Sequence, residues 1–181
     1  MYIVALVNEF LRNVPNALAE INKDGFEAEA RFCRALAYYT LMDMFGIPPF
    51  ITETNYSISP SQLPRAELFN WIESELLDVR ASLPGASQGM YGRADQGVVD
   101  ALLARMYLNA QVYTGKERYS DCILACNRVI AGGYQLAEDY AELFMADNGQ
   151  NPRANREIIF PVCFDGQTTQ SYGMAAVILG S

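Results

Sequence analysis

Hydrophobic positions recur along most of this chain at intervals of three and four residues, the spacing that gathers them on one side of an α-helix. Residues 2–14 carry Leu6, Phe10 and Leu11 at such intervals, and Pro15 closes the run. Residues 26–45 are apolar at Ala30, Cys33, Ala37, Leu41 and Met44, and again at Phe32, Leu36 and Tyr39. A helix that is apolar nearly all round is a central, buried one. Its charges cluster in the first half, where Glu27 and Arg31 are spaced to pair across one turn. Gly46 stops it, and Pro48-Pro49 prevents a restart. A third helix is predicted over 66–83, on Leu68, Ile72, Leu76, Val79 and Leu83, with Pro84-Gly85 as its stop. A fourth covers 95–113, with Val99, Leu102, Leu103, Met106, Ala110 and Tyr113 facing inward. A fifth covers 117–131, with Tyr119, Cys122, Ile123, Cys126 and Ile130 inward and Gly132-Gly133 at its end. The connection through Gly115 is so short that these two must be antiparallel neighbours. Beyond them the period changes. Residues 139–145 suggest a short helix, and 157–164, with Ile158, Ile159, Phe160 and Val162, read as a strand.

Between the helices lie two polar stretches. Residues 85–92 are rich in Gly, Ser and Gln and read as a linker. Residues 47–64 form a longer loop carrying Pro48, Pro49, Pro60 and Pro64. An unstructured stretch of that length inside a compact domain is uncommon and is often functional. Its exposed-looking aromatic is Tyr56, flanked by Asn55 and Ser57. Asn55 and Tyr56 are therefore the candidate ligand contacts, since a flat ring beside a hydrogen-bonding amide suits a polar ligand with an apolar face. The alternative is an ordinary loop tyrosine. The other tyrosines, including Tyr38, Tyr39, Tyr107 and Tyr119, sit at helix-facing positions, and Trp71 adjoins an apolar stripe; all read as packing.

The hairpin over 95–131 is tetratricopeptide-like in length and texture. An offset of 69 aligns Ala35 with Ala104, Tyr38 with Tyr107 and Gly46 with Gly115, as diverged repeats would. The fold class that follows is all-α, tetratricopeptide-like helical hairpins with a small β element near the C-terminus.

Composition narrows the chemistry. The chain has 181 residues, 51% hydrophobic and 19% charged, enough to bury a core. It contains no histidine, which excludes a Ser-His-Asp triad, a Cys-His pair and imidazole-ligated zinc. Thirteen basic residues against 21 acidic ones give a net charge of −8 without a basic stripe, which excludes nucleic acid as a partner. No run approaches the roughly 20 apolar residues that span a bilayer; 2–7 and 172–179 are both too short. Cys122 and Cys126 stand four apart, which is not a metal or redox spacing, so no metal site is assigned. The four cysteines read as small apolar residues, or as a disulfide involving Cys33 or Cys163. Paired carboxylates such as Glu27/Glu29, Glu73/Glu75 and Asp139/Glu142 lack the arrangement glycoside hydrolysis needs. Gly85 and Gly89 lack the Gly-Lys-Ser/Thr of a phosphate loop. Neither an enzyme activity nor a cofactor is expected.

Five segments carry a family resemblance. They are 27–39 followed by Met44-Phe45-Gly46-Ile47-Pro48; Arg65-Ala66-Glu67-Leu68 with Ile72 and Leu76-Leu77; Gly92-Arg93-Ala94 leading to 101–107; Val129 to Tyr134; and Glu157-Ile158-Ile159-Phe160. In this order they resemble the SusD/RagB family of outer-membrane, nutrient-binding lipoproteins, over essentially the whole chain. The resemblance implies a non-enzymatic, cell-surface binder of oligosaccharide or another nutrient. It also implies a TonB-dependent (SusC-like) transporter as partner and a lipid anchor to the outer membrane. Family members are far longer, so residues 1–181 are expected to be a partial helical-repeat domain, with the signal region and the C-terminal half missing and Met1 internal to a parent protein. No glycan contact of the family carries over to a residue here. The rival reading is a tetratricopeptide adaptor for protein partners, which predicts clean 34-residue repeats and no long interrupting loop.

Overall fold

The computed structural model describes residues 1–18, 21–55, 57 and 59–169. Among them seven α-helices follow in order: α1 Tyr2–Asn13, α2 Lys23–Phe45, α3 Arg65–Arg80, α4 Gln96–Leu108, α5 Ala110–Thr114, α6 Tyr119–Ile130 and α7 Pro152–Glu157. Single turns of 3-10 helix occur at Val14–Asn16, Tyr140–Phe144 and Asn148–Gln150. The ends are set by side chains at the expected places. The Asn22 carbonyl accepts from Gly25 N at the start of α2, and the Asp95 carboxylate accepts from Val98 N at the start of α4. Gly46 and Gly115 both close their helices at φ +78°, a conformation that favours glycine. Those two glycines are the pair aligned by the 69-residue offset, and the repeat extends to packing: Tyr38 and Tyr107 are both buried.

The helices form antiparallel pairs whose register can be read from their polar contacts. Across α2 and α3, Arg31 meets Asp78, Arg34 meets Glu75, and the Tyr38 ring meets Trp71. Across α3 and α4, Arg80 meets Asp100 and Tyr107 meets Glu73. Across α4 and α6, Asp100 meets Arg128 and Tyr107 lies under Arg118. One core runs through these layers, with Phe32, Ala35, Tyr38, Met42, Leu68, Phe69, Ile72, Leu76, Val99, Leu103 and Met106 buried. Through its middle α2 is covered nearly all round, since Cys33, Leu36, Ala37, Tyr39 and Leu41 are also partly covered, but Met44, expected on an apolar face, is 68% exposed at its end. The adaptor reading fits poorly, because residues 46–64 interrupt the first hairpin.

Several expectations are corrected. No strand occurs among the described residues, only an isolated bridge between Pro49 and Gln62. Residues 157–164, expected as the small β element, end α7 and then run as an irregular apolar strap. Ile158 N still bonds back to Ala154 O, and the Phe160 ring meets Phe32 edge-on at 5.4 Å. Ile159 and Phe160 pack against the core there, Val162 is exposed, and among the described residues there is no neighbouring strand to pair with. Residues 172–179 lie outside the described residues. The predicted helix 95–113 breaks at Asn109 into α4 and α5. Arg31 pairs with Glu75 and Asp78 on α3 rather than with Glu27, because a bidentate partner on the neighbouring helix outcompetes a single turn-neighbour. The buried face of α1 is Val4, Val7 and Asn8, so Leu6 and Phe10 point outward. On α6 Ala125 is buried, while Tyr119, Ile123, Cys126 and Ile130 are exposed.

Candidate functional site

The loop that interrupts the first hairpin is tied down at its root. The Tyr38 hydroxyl donates to Ile51 O at 2.7 Å and accepts from Ile51 N at 2.8 Å. Asn8 Nδ2 donates to the same carbonyl at 3.2 Å, and Phe50 N donates to Ser61 O at 2.8 Å. Gln62 Nε2 donates to Ile47 O, closing the two ends of the loop together. Beneath it Tyr38, Phe50 and Trp71 pack as three rings, with centroids 5.0–5.3 Å apart, and Arg34 lies over Trp71. Trp71 is thus a packing residue, as its position on the stripe suggested.

Arg34 is the centre of this root. It is 2% exposed, yet it pairs with Glu53 of the loop and Glu75 of α3, and donates to Asn8 of α1. Burial alone would raise the Glu53 carboxyl, but the Arg34 guanidinium outweighs it and holds that group below its ordinary value. The sequence-predicted contacts sit at the tip of the same loop. Asn55 is exposed, and its side-chain carbonyl accepts from Thr52 N. Tyr56 lies outside the described residues. That oxygen thus serves the turn at the loop tip.

A second concave region was not singled out in the sequence. Three segments enclose about 370 Å³: the turn leading into α4, the link after α6, and α7 with the strap behind it. Two hydrogen bonds hold the walls together. Gln135 N donates to Arg156 O at 3.0 Å, and Ser87 Oγ donates to Gly132 O at 2.7 Å. Tyr134 Oη lies 3.0 Å from both Asp95 oxygens, so the residue that caps α4 also fixes this ring. A Cβ on Gly97 would come within 2.2 Å of that hydroxyl, which is why the first turn of α4 carries a glycine there. Gly92-Arg93 and Gly133-Tyr134 belonged to the resembling segments, and that was the available signal. Composition made the first of them look like mere linker.

Five of the six carboxylates in the Glu27/Glu29, Glu73/Glu75 and Asp139/Glu142 pairs are engaged in structure. Glu29 holds Arg93, Glu75 holds Arg31 and Arg34, and Glu73 accepts from Tyr107 and Arg118. Asp139 accepts from Ala141 N, and Glu142 holds Arg153. Among the described residues no cluster of Cys, Asp and Glu is arranged to hold a metal ion. All four cysteines are free thiols, and burial pushes the Cys33 thiol up.

Three tyrosines give this scaffold an alkaline limit. Burial, reinforced by the carboxylates they face (Glu73, Asp43 and Asp95), raises Tyr107, Tyr113 and Tyr134 well above the ordinary value of about 10.0. A phenol raised on folding contributes stability that is full below its unfolded value and lost as pH rises through the folded one. We therefore expect thermal stability to hold up to about pH 10 and to fall beyond it. Phenolate absorbance should show a fraction of the tyrosines ionising only together with unfolding. Titration of every tyrosine at ordinary pH in the folded chain would contradict this assignment.

The fold and these sites define a helical-repeat scaffold that presents an anchored loop and a polar cleft. Comparison with known proteins gives the family. The family model described as SusD-like, "starch-binding associating with outer membrane", matches residues 2–108. The chain belongs to the SusD-like family. It is 41% identical over 146 residues to the starch-binding protein SusD of Bacteroides thetaiotaomicron, covering 81% of this chain and 26% of SusD. A SusD-like protein of Bacteroides fragilis superposes with a TM-score of 0.74 at 26% identity, covering 91% of this chain and 32% of that one. A laminarin-binding SusD-like protein superposes with a TM-score of 0.76 at 24% identity, covering 94% and 37% respectively. The chain thus spans between a quarter and two fifths of the length of these relatives.

Proposed function

We propose that this chain is one section of a longer, non-enzymatic glycan-binding protein at the outer-membrane surface. The observation that carries the reading is its 41% identity to a starch-binding protein across most of its length. The family description, which couples starch binding to the outer membrane, supports the location. The outward apolar residues support the partial-domain reading. Tyr2, Ile3, Leu6 and Phe10 on α1, and Tyr119, Ile123 and Ile130 on α6, form stripes at helical spacing, as surfaces packed by the rest of a larger domain would. The helices serve as scaffold, the loops hold sugar, and a TonB-dependent, SusC-like transporter is the partner that receives it. Anchoring through lipid belongs to the longer protein.

In this reading Asn55 and Tyr56, at the tip of the loop rooted on Arg34, touch the glycan. The test is retention of the chain on insoluble starch. Wild type is expected to be retained, the double variant Asn55→Ala, Tyr56→Ala to be retained several-fold less, and a TonB-dependent transporter to co-purify with the full-length protein. Undiminished retention of the double variant would remove the loop from the site.

A further inference from the structure

The cleft between the α4 turn, the α6–α7 link and the strap has unspent bonding capacity. Two of the charged groups lining it are committed: Asp95 accepts from Val98 N, Ser87 N and Tyr134, and Arg93 is held by Glu29. Three groups lining the cleft are different. Among the described residues the Arg156 guanidinium, the Gln135 amide and the Tyr91 hydroxyl have no hydrogen-bond or ion-pair partner, although all three border one cavity. Arg156 and Gln135 are exposed side chains whose backbones are joined across the walls, so their positions are set while their donors stay free. Tyr91 is half-buried, its edge near Gly149, and Ile158, Ile159 and Pro161 supply apolar surface beside it.

We propose that this cleft is a second sugar subsite, taking one pyranose unit of an oligosaccharide. A pyranose offers an apolar C–H face and a rim of hydroxyls. The cleft offers the complement: aromatic and aliphatic surface from Tyr91, Ile158 and Pro161, and donors and acceptors from Arg156, Gln135 and the Tyr91 hydroxyl. A planar guanidinium can bond two adjacent hydroxyls at once. The volume of about 370 Å³ lies at the low end of ligand clefts, roughly 300–1,000 Å³, and admits one ring with attendant water. The subsite is remote in sequence from the loop at Asn55 and is built from different elements. Where one oligosaccharide spans both, two linked contacts strengthen binding without either being tight.

The inference rests on the glycan-binding reading, and its test separates the two. The 181-residue chain is titrated calorimetrically with maltoheptaose, the probe indicated by the starch-binding relative, and with laminariheptaose as a second glucan. Binding of either glucan is expected to weaken at least tenfold in Arg156→Met and in Tyr91→Ala, and by a smaller but measurable few-fold in Tyr91→Phe, which keeps the ring and loses the hydroxyl. Arg156 is exposed, so its variant should melt with the parent. Wild-type affinity in both Arg156→Met and Tyr91→Ala would overturn the subsite while leaving the glycan reading intact. Heat from neither glucan with the parent chain would overturn both.

Discussion

Replacing Arg34 with methionine is expected to lower the stability of this protein by about 3–5 kcal/mol, the range for breaking a buried ion pair from one side. At about 2–4 °C per kcal/mol for a chain of this size, the melting temperature should fall by roughly 6–20 °C. Arg34 is 2% exposed and ties together α1, α3 and the loop through Asn8, Glu75 and Glu53. Methionine keeps the apolar stem and removes the charge. Glu75 retains Arg31, at 2.7 Å, but Glu53 loses its partner and Asn8 its donor. Arg34→Lys should recover only part of the loss, since one ammonium cannot reach three acceptors spread around a planar fork. The network is not fully satisfied even in the parent, where the buried Arg34 Nε has no partner. A melt of Arg34→Met within about 1 kcal/mol of the parent would show that the loop and α1 are held by packing alone. Because the loop root depends on this residue, the variant should also free the loop before the helices melt, visible as faster amide exchange at Phe50 and Ile51.

The second large effect is expected at Asp100. Its side chain is 1% exposed and faces Arg80 of α3 at 2.8 Å and Arg128 of α6 at 2.7 Å. From α4 it links α3 and α6. Asp100→Ala removes both pairs at once. The two guanidiniums are 30% and 40% exposed and can turn to water, so the cost should be smaller than at Arg34, about 1–3 kcal/mol. Asp100→Asn, which keeps the shape and one acceptor, should fall between. Thermal melts of the two variants check the order. Equal stability of parent and Asp100→Ala would mean that Val99, Leu103 and Ala125 position α6 without help from charge.

The helices were legible in the sequence because their stops are local. Gly46, Pro64, Asp95 and Gly115 each act through their own backbone or the next turn, and each boundary fell within a few residues of expectation. The direction of an apolar stripe is not local. On α1 the choice between the Val4–Val7 side and the Leu6–Phe10 side depends on where α2 and the loop lie. Both sides are apolar, so periodicity alone cannot decide. The same holds for α6, where Ala125 is the buried position and its larger neighbours are outside. A strand at 157–164 failed for a related reason: β-branched composition describes a residue's fit to a pleated surface, and here there is no sheet. The loop was visible in the sequence because proline and polar residues mark it. The cleft was not, because its walls come from 87–95, 132–135 and 155–161 and meet only in the folded chain.

We propose above all that this protein holds glycan without transforming it. The most direct measurement incubates the chain with insoluble starch and follows both the protein in the pellet and the reducing ends in the supernatant. The chain is expected to sediment with the polysaccharide while reducing ends stay at the level of the blank. Protein that remains in solution, or reducing sugar that accumulates with time, would contradict it.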